Sequence, residues 1–307
     1  MQITQDITTH RQIGTVVALG FFDGIHLGHR VVIEKAAQLA KENGLRSMVF
    51  TFSVNEDVPA SKTGLSLLHT EHQKNKMLEE MGIDEVVCPS FSCFKNLTPE
   101  QYVCDILCAA FNAKFVVSGE NYHFGKQGIA DVSLLRTLAG QHGIQVVTVP
   151  PVLEGGQVIS STRIRRAIRN GDLALAAKLL GTPFCIESEV VHGRQLGRTI
   201  NSPTINQMFP KDFTIPPYGV YLSTVSYDSN SMWGVTNIGV KPTLGDNVLS
   251  CETHILDFTG DLYGKTVTLC LHRQLRPEKN FETVKALSEQ IQLDIDLARK
   301  MSKNIDA

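Results

Sequence analysis

Residues 16–30 read VVALGFFDGIHLGHR. Val16, Val17 and Leu19 form an apolar, β-branched run of the kind that makes a buried strand. The chain breaks at Gly20, passes through Phe21-Phe22-Asp23-Gly24 and enters a helix expected from about His26 to Asn43. Strand, glycine turn and helix in that order present free backbone N–H groups and the positive end of a helix dipole to an anion. His26 and His29 are three apart, a spacing that puts both imidazoles on one helix face. Gly28 between them leaves the backbone open to close approach by a ligand. Two imidazoles at a helix start can donate to phosphate oxygens and stabilise charge as it grows in phosphoryl transfer. A bare His-x-x-His pair is more often part of an ordinary core or surface, and here no Cys, Asp or Glu falls at zinc-ligand spacing beside it. The strand before, the helix after and the glycines at the turn make the chemical reading the stronger one.

Working outward, Arg46–Phe52 reads as a second apolar strand, so strand–helix–strand points to a parallel, doubly wound sheet with ligands at the carboxyl ends of its strands. Residues 53–63 are polar and turn-rich. Thr70–Met81 has helical periodicity with Gly82 as its C-cap, Asp84–Cys88 is a short strand, and Thr98-Pro99-Glu100 opens another helix. Lys114–Ser118 is a strand that empties into Gly119–Gly125, and a helix to His142 and a strand Ile144–Val149 follow. Next comes Ile159-Ser160-Ser161-Thr162-Arg163-Ile164-Arg165. Ser160, Ser161 or Thr162 can cap the following helix, and Arg163 and Arg165 sit in its first turns. Cations disfavour a helix N-terminus unless an anion compensates them.

HLGH after GFFDG resembles the His-x-Gly-His signature of the nucleotidyltransferase superfamily, and ISSTRIR resembles its second signature. With SGENYHFG and ISSTRIRRAIRNGDLALAAKLLG the set is similar to the FAD synthetase module of the bacterial bifunctional riboflavin kinase/FAD synthetases. The resemblance implies transfer of AMP from ATP to FMN. It places Gly20, Phe21, Asp23, His26, Gly28 and His29 at the adenylyl site, Ser160, Ser161, Thr162 and Arg165 at the phosphates, and Asn121 and Phe124 near the flavin. Two departures stand out. The family's Phe-x-Pro-His-Pro segment is replaced by Phe52-Ser53-Val54-Asn55-Glu56, and the Arg usual before Phe-Gly is His123.

Composition bounds the rest. A chain of 307 residues is comfortable for two domains, and a formal net charge of −2 gives no general pull toward nucleic acid or an anionic membrane. Residues 1–11 are polar, without the apolar core of a signal peptide, and no run reaches membrane-spanning length. Seven cysteines, an odd number without framework spacing, fit a reducing cytoplasm. Cys104 and Cys108, one helical turn apart without a second pair, read as packed thiols.

An Ala/Leu-rich helix, Gly171–Leu180, ends at Gly181 and is followed by Pro183, which marks a boundary between domains 1–182 and 183–307. Beyond it the grammar changes. Phe184–Val191 alternates apolar and polar residues, as do stretches near Gly219–Tyr227, Met232–Val240, Ser250–Phe258 and Thr266–Gln274. Short strands with turns between them predict a small antiparallel barrel, and helical periodicity returns after Pro277 to about Lys303. Gly193–Thr199, rich in Gly and Arg, suits a loop over phosphates. Thr204 and Asn206, two apart in an extended chain, offer hard oxygen ligands to one side, of the kind that suits Mg²⁺. Glu252 is a carboxylate within an alternating strand. No glycine–lysine P-loop motif occurs in the chain.

In this order these segments, with Tyr218–Tyr221, Asn237-Ile238-Gly239 and Lys241-Pro242-Thr243, resemble the riboflavin kinase family. That resemblance implies a six-stranded barrel, Thr204 and Asn206 as ligands of Mg²⁺, and Gly193 and Arg198 at ATP. It also implies Tyr221 at the flavin and Glu252 as the base for the riboflavin 5′-hydroxyl. Ser202 stands for the usual aromatic before Pro203, and Ile205 for alanine. The whole is therefore expected to be an α/β nucleotidyltransferase domain followed by a six-stranded barrel with a terminal helix. It would convert riboflavin to FMN and FMN to FAD with ATP as co-substrate and Mg²⁺ as cofactor. Two alternatives stay open at this level: a kinase whose adenylyltransferase is weakened, and a non-catalytic flavin- or nucleotide-binding protein.

Overall fold

The computed structural model describes residues 1–53, 64–193, 202–243 and 246–305. The chain forms two compact units, one of residues 1–65 and 71–160, the other of 66–70 and 161–307. The expected residues 54–63, Asn55 among them, and Arg198 lie outside the described residues.

The first unit is built on a parallel sheet of strands β1 (Gln2–Thr4), β2 (Thr15–Leu19), β3 (Arg46–Phe50), β4 (Glu85–Val87), β5 (Ala113–Gly119) and β6 (Gln145–Val149). Their spatial order is β1-β4-β3-β2-β5-β6. From β2 the chain moves outward through β3 and β4 and then returns to the other side of β2 with β5 and β6. The reversal leaves a crevice at the carboxyl ends of β2 and β5, the place where open α/β sheets bind ligands. Residues of β2 alternate between two buried clusters: Val17 and Leu19 pack on one face, Val16 and Ala18 on the other. Cover on both faces is the reason this strand reads as an unbroken apolar run.

Helix α1 (Leu27–Asn43) connects β2 to β3 and ends at Gly44, whose φ of 63° forms a left-handed cap. Helix α2 (Glu71–Glu80) leads to β4, and Gly82 follows at φ 77°. Thr98 makes a full capping box with Gln101 at the start of α3 (Pro99–Gln101). The turn then continues as a π-helix, Tyr102–Ala110. Helix α4 (Val132–Gln141) is capped by Asp131. The edge strand β1 and the small hairpin β7 (Leu153–Glu154) and β8 (Gln157–Val158) were not legible as strands in the sequence.

The second unit carries α5 (Ser161–Arg169), α6 (Leu173–Leu180) and a closed antiparallel barrel. Its strands are β9 (Phe184–Val191), β10 (Ile205–Met208), β11 (Gly219–Tyr227), β12 (Asn230–Thr243), β13 (Asp246–Ile255) and β14 (Thr266–Pro277), and helix α7 (Val284–Ile305) follows. The barrel order is β10-β13-β12-β11-β14-β9. Inside it a chain of buried hydroxyls crosses three strands: Ser223 to Thr236 at 2.7 Å and Thr236 to Thr253 at 2.8 Å. Each satisfies the next, which removes the penalty of burying them. On α7, Asp294 accepts from Arg276 of β14 and from Gln290, tying the helix to the barrel.

One expectation needs correcting. The odd cysteine count implied thiols throughout, yet Cys185 and Cys270 are direct partners across β9 and β14 and form a disulfide. Pairing across a barrel closed by distant strands leaves no trace in cysteine spacing. Cys104 and Cys108 are free thiols, as expected, with Cys104 Sγ 3.2 Å from His142 Nε2.

Candidate functional site

In the first unit the backbone after β2 is unusual. Phe22, Gly24 and Ile25 all have positive φ, at 50°, 87° and 28°. Phe22 and Ile25 are buried and not glycine, a conformation that persists only where the surroundings over-determine it. Gly20 permits the turn: a Cβ there would meet the Phe22 ring at 2.7 Å. Phe21 stacks on Phe52, with centroids 4.8 Å apart. Asp23 is buried within the turn.

His26 is the N-cap of α1, and its Nδ1 accepts from the His29 backbone N–H at 3.3 Å. A ring that accepts at Nδ1 carries its proton, when neutral, on Nε2, which makes that edge a donor. The rings of His26 and His29 stack with centroids 3.6 Å apart and 18° between planes. The expected common face is therefore a face-to-face pair. A Cβ on Gly28 would stand 3.2 Å from the His26 ring and 3.7 Å from the Ile159 carbonyl oxygen. The glycine thus makes room for the imidazole and for the Ile159 carbonyl that leads into Ser160.

Asn121 follows the carboxyl end of β5, its Oδ1 3.0 Å from where a Gly119 Cβ would stand. Its carbonyl pairs with Nδ1 of the exposed His123 at 3.0 Å. Phe124, expected at the flavin, is a core side chain that packs on Tyr102 and Tyr122. The hydroxyls of Tyr102 and Tyr122 bond each other at 2.9 Å. Burial raises both phenols, Tyr122 to about 12.

Ser161, Thr162 and Arg165 belong to α5 of the second unit, with Thr162 exposed. Arg165 is buried and donates through Nε to the Ser66 carbonyl, while Arg169 donates to the Ser66 hydroxyl at 2.7 Å. Segment 66–70 is itself held by the barrel unit: Leu67 bridges Phe213, and Thr214 donates from its backbone to the Leu67 carbonyl at 2.8 Å.

On the barrel, Asn206 of β10 and Asn237 of β12 are the register partners of Glu252 on β13. Direct partners lie on one face of a sheet, so these three side chains form a row across three strands. The alternate positions Gln207, Thr236 and Thr253 are buried in the interior, which puts the row on the other face. Thr204, two residues before Asn206 and just ahead of β10, is half-buried. Gly193, at the end of β9, is the cradle of Asn206: an added Cβ would lie 2.4 Å from Nδ2 and 2.6 Å from Oδ1. Tyr221, expected at the flavin, is fully buried and donates its hydroxyl to the Pro217 carbonyl. Asn237 carries no site signal of its own in the sequence, and its place beside Glu252 depends on register.

Comparison with known proteins gives two family matches along the chain. Residues 8–163 match the family model described as FAD synthetase, and residues 180–302 match the one described as riboflavin kinase. The chain is 34% identical to a bifunctional riboflavin kinase/FMN adenylyltransferase of Pseudomonas fluorescens, covering 94% of this chain and 93% of that one. It is 36% identical to the protein of that description from Listeria monocytogenes, over 95% and 93% of the two chains. Among solved structures, a Streptococcus pneumoniae protein described as a macrolide-efflux protein superposes with a TM-score of 0.85 at 31% identity, covering 96% of this chain and 98% of that one. Among the described residues here, no helix is long and apolar enough to cross a membrane.

Proposed function

The chain belongs to the bifunctional riboflavin kinase/FMN adenylyltransferase family, and we propose on that premise how its residues divide the work. It phosphorylates riboflavin to FMN and adenylylates FMN to FAD, with ATP as co-substrate. The functional boundary falls at 182/183, in keeping with one family match ending at 163 and the other beginning at 180.

For the kinase, Glu252 takes the proton of the riboflavin 5′-hydroxyl as that oxygen bonds to the γ-phosphorus of ATP and the bond to ADP breaks. The observation that supports this is the row Asn206–Glu252–Asn237, with Gly193 left bare for the Asn206 amide. Thr204 and Asn206 offer neutral oxygens, and with the Glu252 carboxylate beside them the donor set fits Mg²⁺. Mg²⁺ bound there would neutralise charge on the ATP phosphates. Gly193 and Arg198 would serve those phosphates.

For the adenylyltransferase, a phosphate oxygen of FMN attacks the α-phosphorus of ATP, and pyrophosphate leaves. Nε2–H of His26 and the His29 ring donate to the oxygens that gain charge. Gly20, Phe21, Asp23 and Gly28 shape the turn at ATP, while Ser160, Ser161, Thr162 and Arg165 hold its phosphates. Asn121 faces the flavin.

The departures at Ser53–Glu56 and His123 leave the histidine turn intact, so we expect both activities. Chromatographic product analysis with riboflavin or FMN supplied separately with MgATP tests this. FAD from both substrates is the expected result. FMN left untouched would mean that the first domain is disabled.

A further inference from the structure

Lys74 of α2 reaches the carboxyl ends of the two central strands β2 and β3, a place no sequence motif assigns to it. There it completes a closed triangle. The Thr51 hydroxyl donates to the Phe21 carbonyl at 2.8 Å, and the Lys74 ammonium donates to that carbonyl at 3.2 Å and to the Thr51 oxygen at 3.0 Å. The ammonium also lies 5.9 Å from the centre of the Phe21 ring. Phe21 is the last residue before the run of positive φ at Phe22, Gly24 and Ile25 that delivers Asp23 and His26.

The Thr51 hydroxyl already ties the two strand ends. What Lys74 adds is a positive charge at the carboxyl edge of a parallel sheet, facing the Asp23 carboxylate of the turn, the Cys88 thiol beyond β4 and Glu71 on its own helix. A hydrophobic side chain would pack in the same place without the cost of desolvating an ammonium. An ammonium bound to the carbonyl that begins a strained turn both fixes that turn and offsets the charge of Asp23 as an anionic ligand approaches.

We propose that Lys74 is a positioning residue for FMN adenylylation, holding the Phe21–His26 turn in register for nucleotide phosphates and balancing the charge of Asp23. This rests on the assignment of that reaction to the first domain. Desolvation lowers the pKa of Lys74, opposed by Cys88, Asp23 and Glu71, so loss of its proton brings down the adenylylation rate on the alkaline side.

The test is Lys74→Met in the full chain, with riboflavin phosphorylation by the barrel as internal control. The expected result is a tenfold or greater fall in kcat for FAD formation, FMN formation within twofold of wild type, and loss of the alkaline limb of the adenylylation pH profile. Cys88→Ser, which removes the other alkaline-titrating group beside it, keeps that limb. Thr51→Val, which leaves the ammonium one acceptor fewer, moves the limb to lower pH and decides the matter if Lys74→Met does not fold. Lys74→Met with FAD formation within twofold of wild type overturns the proposal, as does an alkaline limb unmoved in Lys74→Met or in Thr51→Val. Wild type that forms no FAD from FMN overturns the assignment and the proposal with it.

Discussion

Asn206 stands directly opposite Glu252 across β10 and β13, so an amide expected at a metal and a carboxylate expected at a proton are neighbours on one face of the barrel. Cross-strand partners of this kind have Cβ atoms about 4.5–5.5 Å apart. Glu252→Gln keeps the shape of the pair and removes the base. Riboflavin phosphorylation is expected to fall by about 10²-fold or more, while FAD formation from supplied FMN stays at the wild-type rate. Two product assays on one preparation check this.

Gly193→Ala places a methyl group within 2.6 Å of three atoms of the Asn206 amide. The amide has to leave its position, and misplacement of about 1 Å can cost on the order of 10²-fold in rate. The expected outcome is kinase activity reduced on that scale with FMN adenylylation unchanged, measured in the same two assays.

His26 and His29 differ in what they do for the fold. His26→Ala removes the cap of α1, at about 1 kcal/mol of stability, together with one donor at the proposed site. His29→Ala removes a stacked ring and leaves the cap group in place. Both are expected to lower FAD formation by about 10²–10³-fold, and only His26→Ala to lower the unfolding midpoint in urea measurably.

The Cys185–Cys270 pair encloses a sequence separation of 85. A loop of that length corresponds to roughly 4.5 kcal/mol in the chain-entropy model. Oxidised protein denatured without reductant should titrate five thiols, and fully reduced protein all seven cysteines. Reduction should lower the unfolding midpoint of the barrel.

Burial raises the phenols of Tyr102, Tyr122 and Tyr221, Tyr122 to about 12. The folded chain then holds protons that the unfolded chain releases near pH 10, so stability falls as pH rises from about 10 toward 12. Ultraviolet titration of the folded protein should show phenolate absorbance lagging behind that of the denatured chain.

Local periodicity and end signals determine a large part of this fold. Phe184–Val191 and Gly219–Tyr227 have the same bounds as strands in sequence and structure, and α1 begins within one residue of its expected start. Alternation and caps are properties of neighbouring residues, so they can be read along the chain. Tertiary structure alone decided the rest. Asn237 meets Glu252 only because the barrel closes in one register, and Cys185 meets Cys270 only because β14 returns beside β9. Segment 66–70 joins the barrel unit through Phe213, about 150 residues away along the chain. Phe124 and Tyr221 are packed in the interior, a burial their motifs do not record. Lys74, an ordinary helical lysine in sequence, becomes part of the turn at Phe21 because β2 and β3 are adjacent. Pairing between distant segments is set by the closure of the whole structure, and no local pattern records it.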